Sequence, residues 1–138
     1  FRFVREELES VFRRFTGEIL QSPQKYSAVK KEGRPLYYYA RKGIEVEIKP
    51  RPVTIHEIVI EEILLPDVLF RVRCGKGVYI RSLAQDIGLA LGCGAVLTEL
   101  RRLGTGGFSI SDAVDLETCL NSDIGKVLLE PDNLFLPP

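Results

Sequence analysis

The chain has 138 residues, equal numbers of basic and acidic side chains (19 each) and 45% hydrophobic residues, so its formal net charge at pH 7 is zero. This length suffices to bury a core, and the composition argues against intrinsic disorder. No apolar run reaches the roughly 20 residues of a membrane span, and the charged first residues argue against a secretory signal.

The first elements can be predicted from apolar spacing and from glycine and proline positions. The polar stretch QSPQKYSAVKKEGRP is punctuated by turn residues, and a basic loop of this length is typical of a functional segment. A short helix is predicted in LYYYARKG, ending at Gly43. Before this stretch, spacings of three and four predict an N-terminal helix that ends near Gly17, with an apolar face formed by Val4, Leu8, Val11, Phe12 and Phe15.

Strands and helices alternate irregularly in the second half of the chain. Residues 53–60 predict a strand with a bulge, and residues 68–74 predict a second strand with one buried and one partly basic face. Helices are predicted over residues 79–91 and 96–100, followed by a short strand at 108–110. Strands and helices without a regular βαβ rhythm favour an α+β fold.

The neutral total conceals two regions of opposite charge. Residues 21–51 carry eight basic and three acidic side chains, whereas residues 111–138 carry one lysine and six acidic side chains. Solvated surfaces are one interpretation, and a polyanion-binding surface offset by an acidic tail is the other. Basic residues interleaved with aromatic rings suit RNA, and the basic parts contain five tyrosines: Tyr26, Tyr37, Tyr38, Tyr39 and Tyr79.

The segment CGKGVYIRSLAQDIG is the strongest indication of chemistry. It places Tyr79 and Arg81 at a strand-to-helix junction. Both could be ordinary surface residues, but a cation is disfavoured near a helix N-terminus, which favours a functional role for Arg81. The Gly-Lys-Gly turn lacks the spacing of a nucleotide-binding loop, and Ser82 lacks a nearby histidine for a hydrolase triad.

Metal and disulfide chemistry are not expected. The three cysteines are widely spaced, no Cys-x-x-Cys pair occurs, and His56 is the single histidine. This set argues against a structural zinc site. A reducing cytoplasm is the expected compartment.

Three segments resemble the bacterial tRNA pseudouridine synthases of the TruB type, which modify uridine 55 in the T-loop. They are QSPQKYSAVKKEGRPLYYYARKGIEVE, CGKGVYIRSLAQDIGLALGCGAVLTELRRL and TGGFSISDAVDLE, in the family's order. The resemblance implies a mainly antiparallel mixed sheet flanked by helices. It implies isomerisation of uridine to pseudouridine without metal or organic cofactor, on a base flipped out of its stack. It also implies tRNA as the partner, and a monomer when intact.

The resemblance also assigns roles to individual residues. Tyr79 matches the active-site tyrosine that stacks on uracil and is a candidate proton acceptor. Arg81 matches the arginine that pairs with the catalytic aspartate, and Leu100 matches an apolar residue of the uracil pocket. The insertion at about residues 21–51 matches the segment that grips the T-loop, and the implied RNA-binding residues are Lys25, Tyr26, Lys30, Lys31, Arg41, Lys42 and Lys76.

The family nucleophile has no counterpart among these residues. It is an aspartate in a GxLDxxAxG-type loop, and neither this loop nor the KPxG-type motif occurs in the sequence. We therefore expect residues 1–138 to be the C-terminal portion of one catalytic domain, without the nucleophile segment and without the family's C-terminal RNA-binding domain. The chain alone is then expected to be inactive, and an unpaired Arg81 would be costly if buried. The alternatives are a non-catalytic RNA-binding module or tRNA chaperone, and a fragment that needs the missing segment to fold.

Overall fold

The computed structural model describes residues 3–23, 29–31 and 33–128, and the chain divides into two units, Phe1–Thr98 and Glu99–Pro138. The described residues of the first unit form three helices and five strands, named in chain order: α1 (Arg5–Arg13), β1 (Gly17–Gln21), β2 (Lys30–Lys31), β3 (Arg34–Pro35), α2 (Leu36–Arg41), β4 (Arg51–Leu64), β5 (Asp67–Cys74) and α3 (Ile80–Ala90).

Helix α1 follows the predicted apolar spacing. Leu8 and Phe12 are 1% and 4% exposed, whereas Glu7 and Arg13 lie on the exposed face. The Val4 amide donates to the Glu7 carboxylate (3.2 Å), which satisfies one of the unpaired N–H groups at the helix start. The predicted N-terminal helix is therefore confirmed.

Three strands form an antiparallel sheet in the order β1–β4–β5. Strand β5 alternates exposed and half-buried residues, as its period of two predicts. Strand β4 has register irregularities near Ile55–Glu57 and Ile60–Glu62, so the predicted bulge is confirmed. Strand β1 was not predicted, because the segment GEILQ shows no marked alternation and depends on pairing with the distant β4.

The core joins the two longer helices to this sheet. Phe12 of α1, Ile55 of β4, and Leu83 and Ile87 of α3 form one buried cluster. Phe12 also packs edge-to-face against Phe70, with 5.1 Å between the ring centroids. The predicted α+β class, with an antiparallel sheet flanked by helices, is confirmed.

The segment after α3 corrects one prediction, because no helix forms over residues 96–100. Gly92 and Gly94 adopt φ values of 75° and 68°, and the chain turns back so that the Cys93 and Gly94 amides donate to the Gly88 carbonyl. Val96 is 80% exposed, so the apolar residues of this segment do not form a packed helical face.

The second unit contains short elements within its described residues. They are β6 (Gly104–Thr105), β7 (Phe108–Ser109), a 3-10 turn (Ile110–Asp112), α4 (Leu116–Asn121) and α5 (Ile124–Val127). Strands β6 and β7 form an antiparallel hairpin, which confirms the predicted short strand near residue 108. The Asp115 carboxylate caps α4 by accepting from the Thr118 amide (2.8 Å), and this bond lowers the pKa of Asp115.

Candidate functional site

The strand-to-helix junction is built by the end of β5, a glycine turn and the start of α3. Gly77 has φ +86°, a conformation that glycine adopts readily. Tyr79 is the N-cap residue of α3, and its carbonyl accepts from the Leu83 amide at 3.0 Å. Buried Leu83 and Ile87 fix the helix on the core. The packing of α3 against the sheet therefore contributes to the position of Tyr79.

Side chains of two neighbouring strands contact Tyr79. The Gln21 side chain donates to the Tyr79 carbonyl (Nε2 to O, 3.1 Å) and accepts from the Tyr79 amide (N to Oε1, 2.8 Å). The Arg51 guanidinium lies 5.3 Å from the Tyr79 ring centroid and donates to the Gly77 carbonyl (3.1 Å). The sequence did not single out Gln21 or Arg51, because both contacts join residues that are distant along the chain.

Arg81 lies on the exposed side of the same helix. It borders a groove of about 350 Å³ that is lined by Gln85, Leu89 and residues 94–97. Within residues 3–23, 29–31 and 33–128, no acidic side chain forms an ion pair with Arg81. The expected cost of a buried unpaired cation therefore does not arise in this chain, because the guanidinium is open to water.

Asp86, one turn further along α3, is a half-buried carboxyl group. Burial raises the pKa of Asp86 above its ordinary value of 3.8, because desolvation disfavours the charged form. The Asp86 side chain makes no hydrogen bond or salt bridge in the part of the chain that the structure describes.

The basic segment, residues 21–51, contains a cluster of cations and tyrosine rings on and beside α2. Arg34 and Lys42 lie 4.7 and 4.6 Å from the Tyr38 ring centroid, and Arg34 also donates to the Tyr38 hydroxyl. Lys42, and then Arg34, lower the pKa of Tyr38 by favouring the phenolate. Arg41 lies 5.6 Å from the Tyr37 ring centroid. We call Arg34, Tyr37, Tyr38, Arg41 and Lys42 the tyrosine–cation cluster; interleaving of cations and rings was predicted here, but the contact of Arg34 with Tyr38 was not.

The remaining predicted RNA-binding residues have different environments. Lys30 is exposed on β2, and Lys76 is exposed in the turn before α3. Lys31 is half-buried and donates to the Glu47 carbonyl (2.9 Å), while the Tyr39 hydroxyl donates to the Lys31 carbonyl (3.1 Å). Lys25 and Tyr26 lie outside the described residues.

Leu100, the predicted wall of the uracil pocket, belongs to the second unit, whereas Tyr79 and Arg81 belong to the first. It is 63% exposed and lies in the irregular segment between α3 and β6. The structure therefore brings Tyr79 and Arg81 together at one junction, and the contribution of Leu100 stays a prediction.

Among residues 3–23, 29–31 and 33–128, no helix is both long and apolar enough to span a bilayer. No three His, Cys, Asp or Glu side chains come together in that part of the chain as metal ligands would.

Two family models match the chain in succession. The TruB family pseudouridylate synthase N-terminal domain matches residues 1–80, and the tRNA pseudouridylate synthase B C-terminal domain matches residues 81–126. The chain belongs to the TruB family of pseudouridylate synthases. The resemblance seen in its motifs is thereby confirmed.

Full-length relatives carry the same family name. The tRNA pseudouridine synthase B of Burkholderia lata is 52% identical over 119 residues, which cover 86% of this chain and 37% of that protein. The protein of the same name from Syntrophus aciditrophicus is 52% identical over 115 residues, covering 83% of this chain and 37% of its own length. The TruB-family chain thus spans little more than a third of the length of these relatives.

Two solved structures of protein complexes share the fold. A Cbf5–Nop10–Gar1 complex contains a chain that is 34% identical, with a TM-score of 0.70 over 88% of this chain and 32% of that chain. A chain in an H/ACA RNP bound to a substrate RNA containing 2'-deoxyuridine is 31% identical, with a TM-score of 0.63 over 86% of this chain and 29% of that chain.

Proposed function

We propose that this TruB-family chain is part of an enzyme that isomerises uridine 55 in the tRNA T-loop to pseudouridine. The observation that carries the proposal is the junction at which a half-buried Tyr79 and an exposed Arg81 lie two residues apart at the start of α3. An aromatic ring can stack on an extruded base, and a guanidinium can orient a carboxylate. The relatives' name, tRNA pseudouridine synthase B, supports tRNA as the substrate.

The reaction exchanges one glycosidic bond for another. The bond from ribose to the uracil nitrogen is broken, the base turns within the site, and a bond from ribose to carbon 5 of uracil forms. Tyr79 stacks on the flipped uracil and is the candidate acceptor of the proton released from carbon 5. Arg81 orients the carboxylate nucleophile, and Leu100 forms an apolar wall of the base pocket. No metal or organic cofactor enters this scheme.

The domain organisation is part of the same proposal. Residues 1–138 form a portion of one catalytic domain, and residues 21–51 form an insertion that grips the T-stem-loop. Lys30, Arg41 and Lys42 are exposed there, which supports contacts to phosphates. Lys31, Lys76, Lys25 and Tyr26 complete the proposed RNA-binding set. The three widely spaced cysteines support a reducing compartment, for which we propose the cytoplasm, and we propose that the intact enzyme is monomeric.

A turnover assay on two proteins tests the catalytic proposal. Tritium release from T-stem-loop RNA labelled at carbon 5 of uridine should occur with the full-length enzyme. It should not occur with the 138-residue chain, because the family's nucleophilic aspartate loop is not among these residues. Circular dichroism of the chain establishes that it is folded in the same buffer. Turnover by the 138-residue chain would contradict the proposed dependence on that loop.

A non-catalytic RNA-binding module is the second candidate. The tyrosine–cation cluster favours it, because this cluster is organised within the chain without any contribution from a nucleophile. Titration of the folded chain with T-stem-loop RNA at increasing salt separates the possibilities. Binding that weakens steeply with salt, without turnover by the full-length protein, would favour the module.

A further inference from the structure

We propose that Gln21 and Arg51 are positioning residues that fix Tyr79 for the reaction; the inference rests on the proposed role of Tyr79. The two residues are register partners at the end of the β1–β4 ladder. Gln21 holds the backbone of Tyr79, and Arg51 contacts its ring and the preceding turn. We call this pair the Tyr79 clamp.

The Gln21 side-chain amide is buried, in an environment that apolar side chains usually occupy. Its side chain is fully enclosed, at 1% exposure, and burial of an amide is unfavourable unless its hydrogen bonds are satisfied. Among the described residues, both hydrogen bonds of this amide go to the backbone of a single residue, Tyr79. Bonds to the N–H and C=O of one residue restrain both peptide groups around its Cα, and so restrain the direction in which the side chain leaves the backbone.

A neighbouring contact strengthens the same attachment. The Ser82 hydroxyl, 3% exposed, donates to the Ser22 carbonyl at 3.2 Å. The end of β1 is therefore joined to the first turn of α3 at two consecutive residues, Gln21 and Ser22. Because β1 is hydrogen-bonded to β4, the start of α3 is tied to the sheet through side-chain bonds as well as through core packing.

Arg51 acts on the ring of Tyr79. Its guanidinium contacts the ring and donates to the Gly77 carbonyl (3.1 Å), in the turn that precedes the tyrosine. A cation over an aromatic face is attracted by the negative electrostatic potential of that face. A base that stacks on Tyr79 would therefore use the opposite face. Arg51 would limit rotation of the ring and define the side on which uracil is received.

The test compares four clamp variants and one control variant of the full-length enzyme. Arg51→Met keeps much of the length of the side chain but removes its charge and donors, and Arg51→Lys restores the charge. Gln21→Glu replaces the donor to the Tyr79 carbonyl by an oxygen, and Gln21→Met removes both bonds. Arg13→Met is the matched control, because Arg13 is an exposed arginine on α1 with a 3.8 Å contact to Glu9.

We expect Arg51→Met and Gln21→Glu to lower kcat by about 10- to 100-fold, as misplacement of a reacting group does. KM for T-stem-loop RNA should change by less than about threefold, because binding is carried by other residues. Arg51→Lys should recover part of the loss, and Arg13→Met should behave like the wild type. An unchanged kcat in Arg51→Met, or a raised KM with unchanged kcat, would overturn the inference.

Amide hydrogen exchange provides a readout that does not depend on turnover. The Tyr79 amide should exchange slowly in the wild type and faster in Gln21→Met, while the Leu83 amide, which bonds within α3, stays protected. Unchanged Tyr79 exchange would refute the clamp even if activity falls. If Gln21→Met does not fold, the kcat of Arg51→Met tests the inference in its place. Inactive wild-type enzyme with the expected exchange pattern would instead refute the proposed function and leave the clamp geometry supported.

Discussion

Gly88 is the position at which the packing of α3 can be tested most directly. A Cβ atom built there would lie 2.2 Å from the Ala95 nitrogen and 2.3 Å from the Gly94 carbonyl carbon. The amides of Cys93 and Gly94 both donate to the Gly88 carbonyl, at 3.2 and 2.9 Å. The backbone after α3 therefore passes directly over the glycine, and Gly88→Ala requires this backbone to move.

Two effects of Gly88→Ala oppose each other. Replacement of a glycine inside a helix by alanine ordinarily stabilises a protein by about 0.5–1 kcal/mol. Overpacking of a buried site costs about 1–3 kcal/mol, and the built contacts at Gly88 are more than 1 Å shorter than ordinary van der Waals contact at 3.4–4 Å. The clash involves backbone atoms, which cannot rotate away as a flexible side chain would. We expect a net loss of about 1–2 kcal/mol, and a decrease in Tm on the order of 5–10 °C.

Thermal unfolding followed by circular dichroism measures this change, with Gly75→Ala as the matched control. A Cβ at Gly75 would meet its nearest atom, the Thr54 carbonyl oxygen, at 3.6 Å, which is ordinary contact. The control should therefore be neutral or slightly stabilising. A Gly88→Ala variant that melts at or above the wild-type temperature would refute the reasoning. The same result would show that residues 93–95 can move away from α3 at little cost.

Three further predictions concern the proposed site and its helix. In the full-length enzyme, Tyr79→Leu and Arg81→Ala should each abolish most tritium release while T-stem-loop RNA binding persists; normal turnover in either variant would refute its assigned role. Joint replacement of Lys30 and Lys31 by alanine should weaken RNA binding and reduce the slope of log affinity against log salt by about two, so an unchanged slope would exclude them as phosphate contacts. Burial raises the pKa of Asp86, so its charge destabilises the fold above that pKa and ceases to do so as pH falls below the ordinary value of 3.8. Asp86→Asn should therefore raise Tm at neutral pH and leave it nearly unchanged at a pH below 3.8, whereas an equal gain at both would contradict a charge effect.

The elements that the sequence predicts well are those whose periodicity is local. Helix α1 buries Leu8 and Phe12 at a spacing of four, and β5 alternates over its full length, because each pattern reflects one buried face of one element. The burial of strand β1 also alternates, but its residue types do not follow it: the apolar Leu20 is 73% exposed and the polar Gln21 is buried, so the sequence carries no apolar pattern. Its extended conformation follows from pairing with β4.

The same distinction applies to the candidate site. Tyr79 and Arg81 are recognisable because they lie within one contiguous motif at a predicted junction. Gln21 and Arg51 are not, because their contacts with this junction span 58 and 26 residues of chain. A glutamine at the end of an unrecognised strand gives no local sign that its amide is enclosed. Only the register of β1 and β4 places both side chains against the start of α3.

The tyrosine–cation cluster also links local structure to binding. Helix α2 spans only Leu36–Arg41, which is too short to be stable in isolation, so contacts such as Arg34 with Tyr38 contribute to holding it. A guanidinium has five N–H donors. Arg34 can therefore keep its bond to the Tyr38 hydroxyl and still present donors to a phosphate. If the proposed RNA contacts are correct, these cations bind phosphates without releasing the tyrosine rings, and the binding surface is already formed in the free chain.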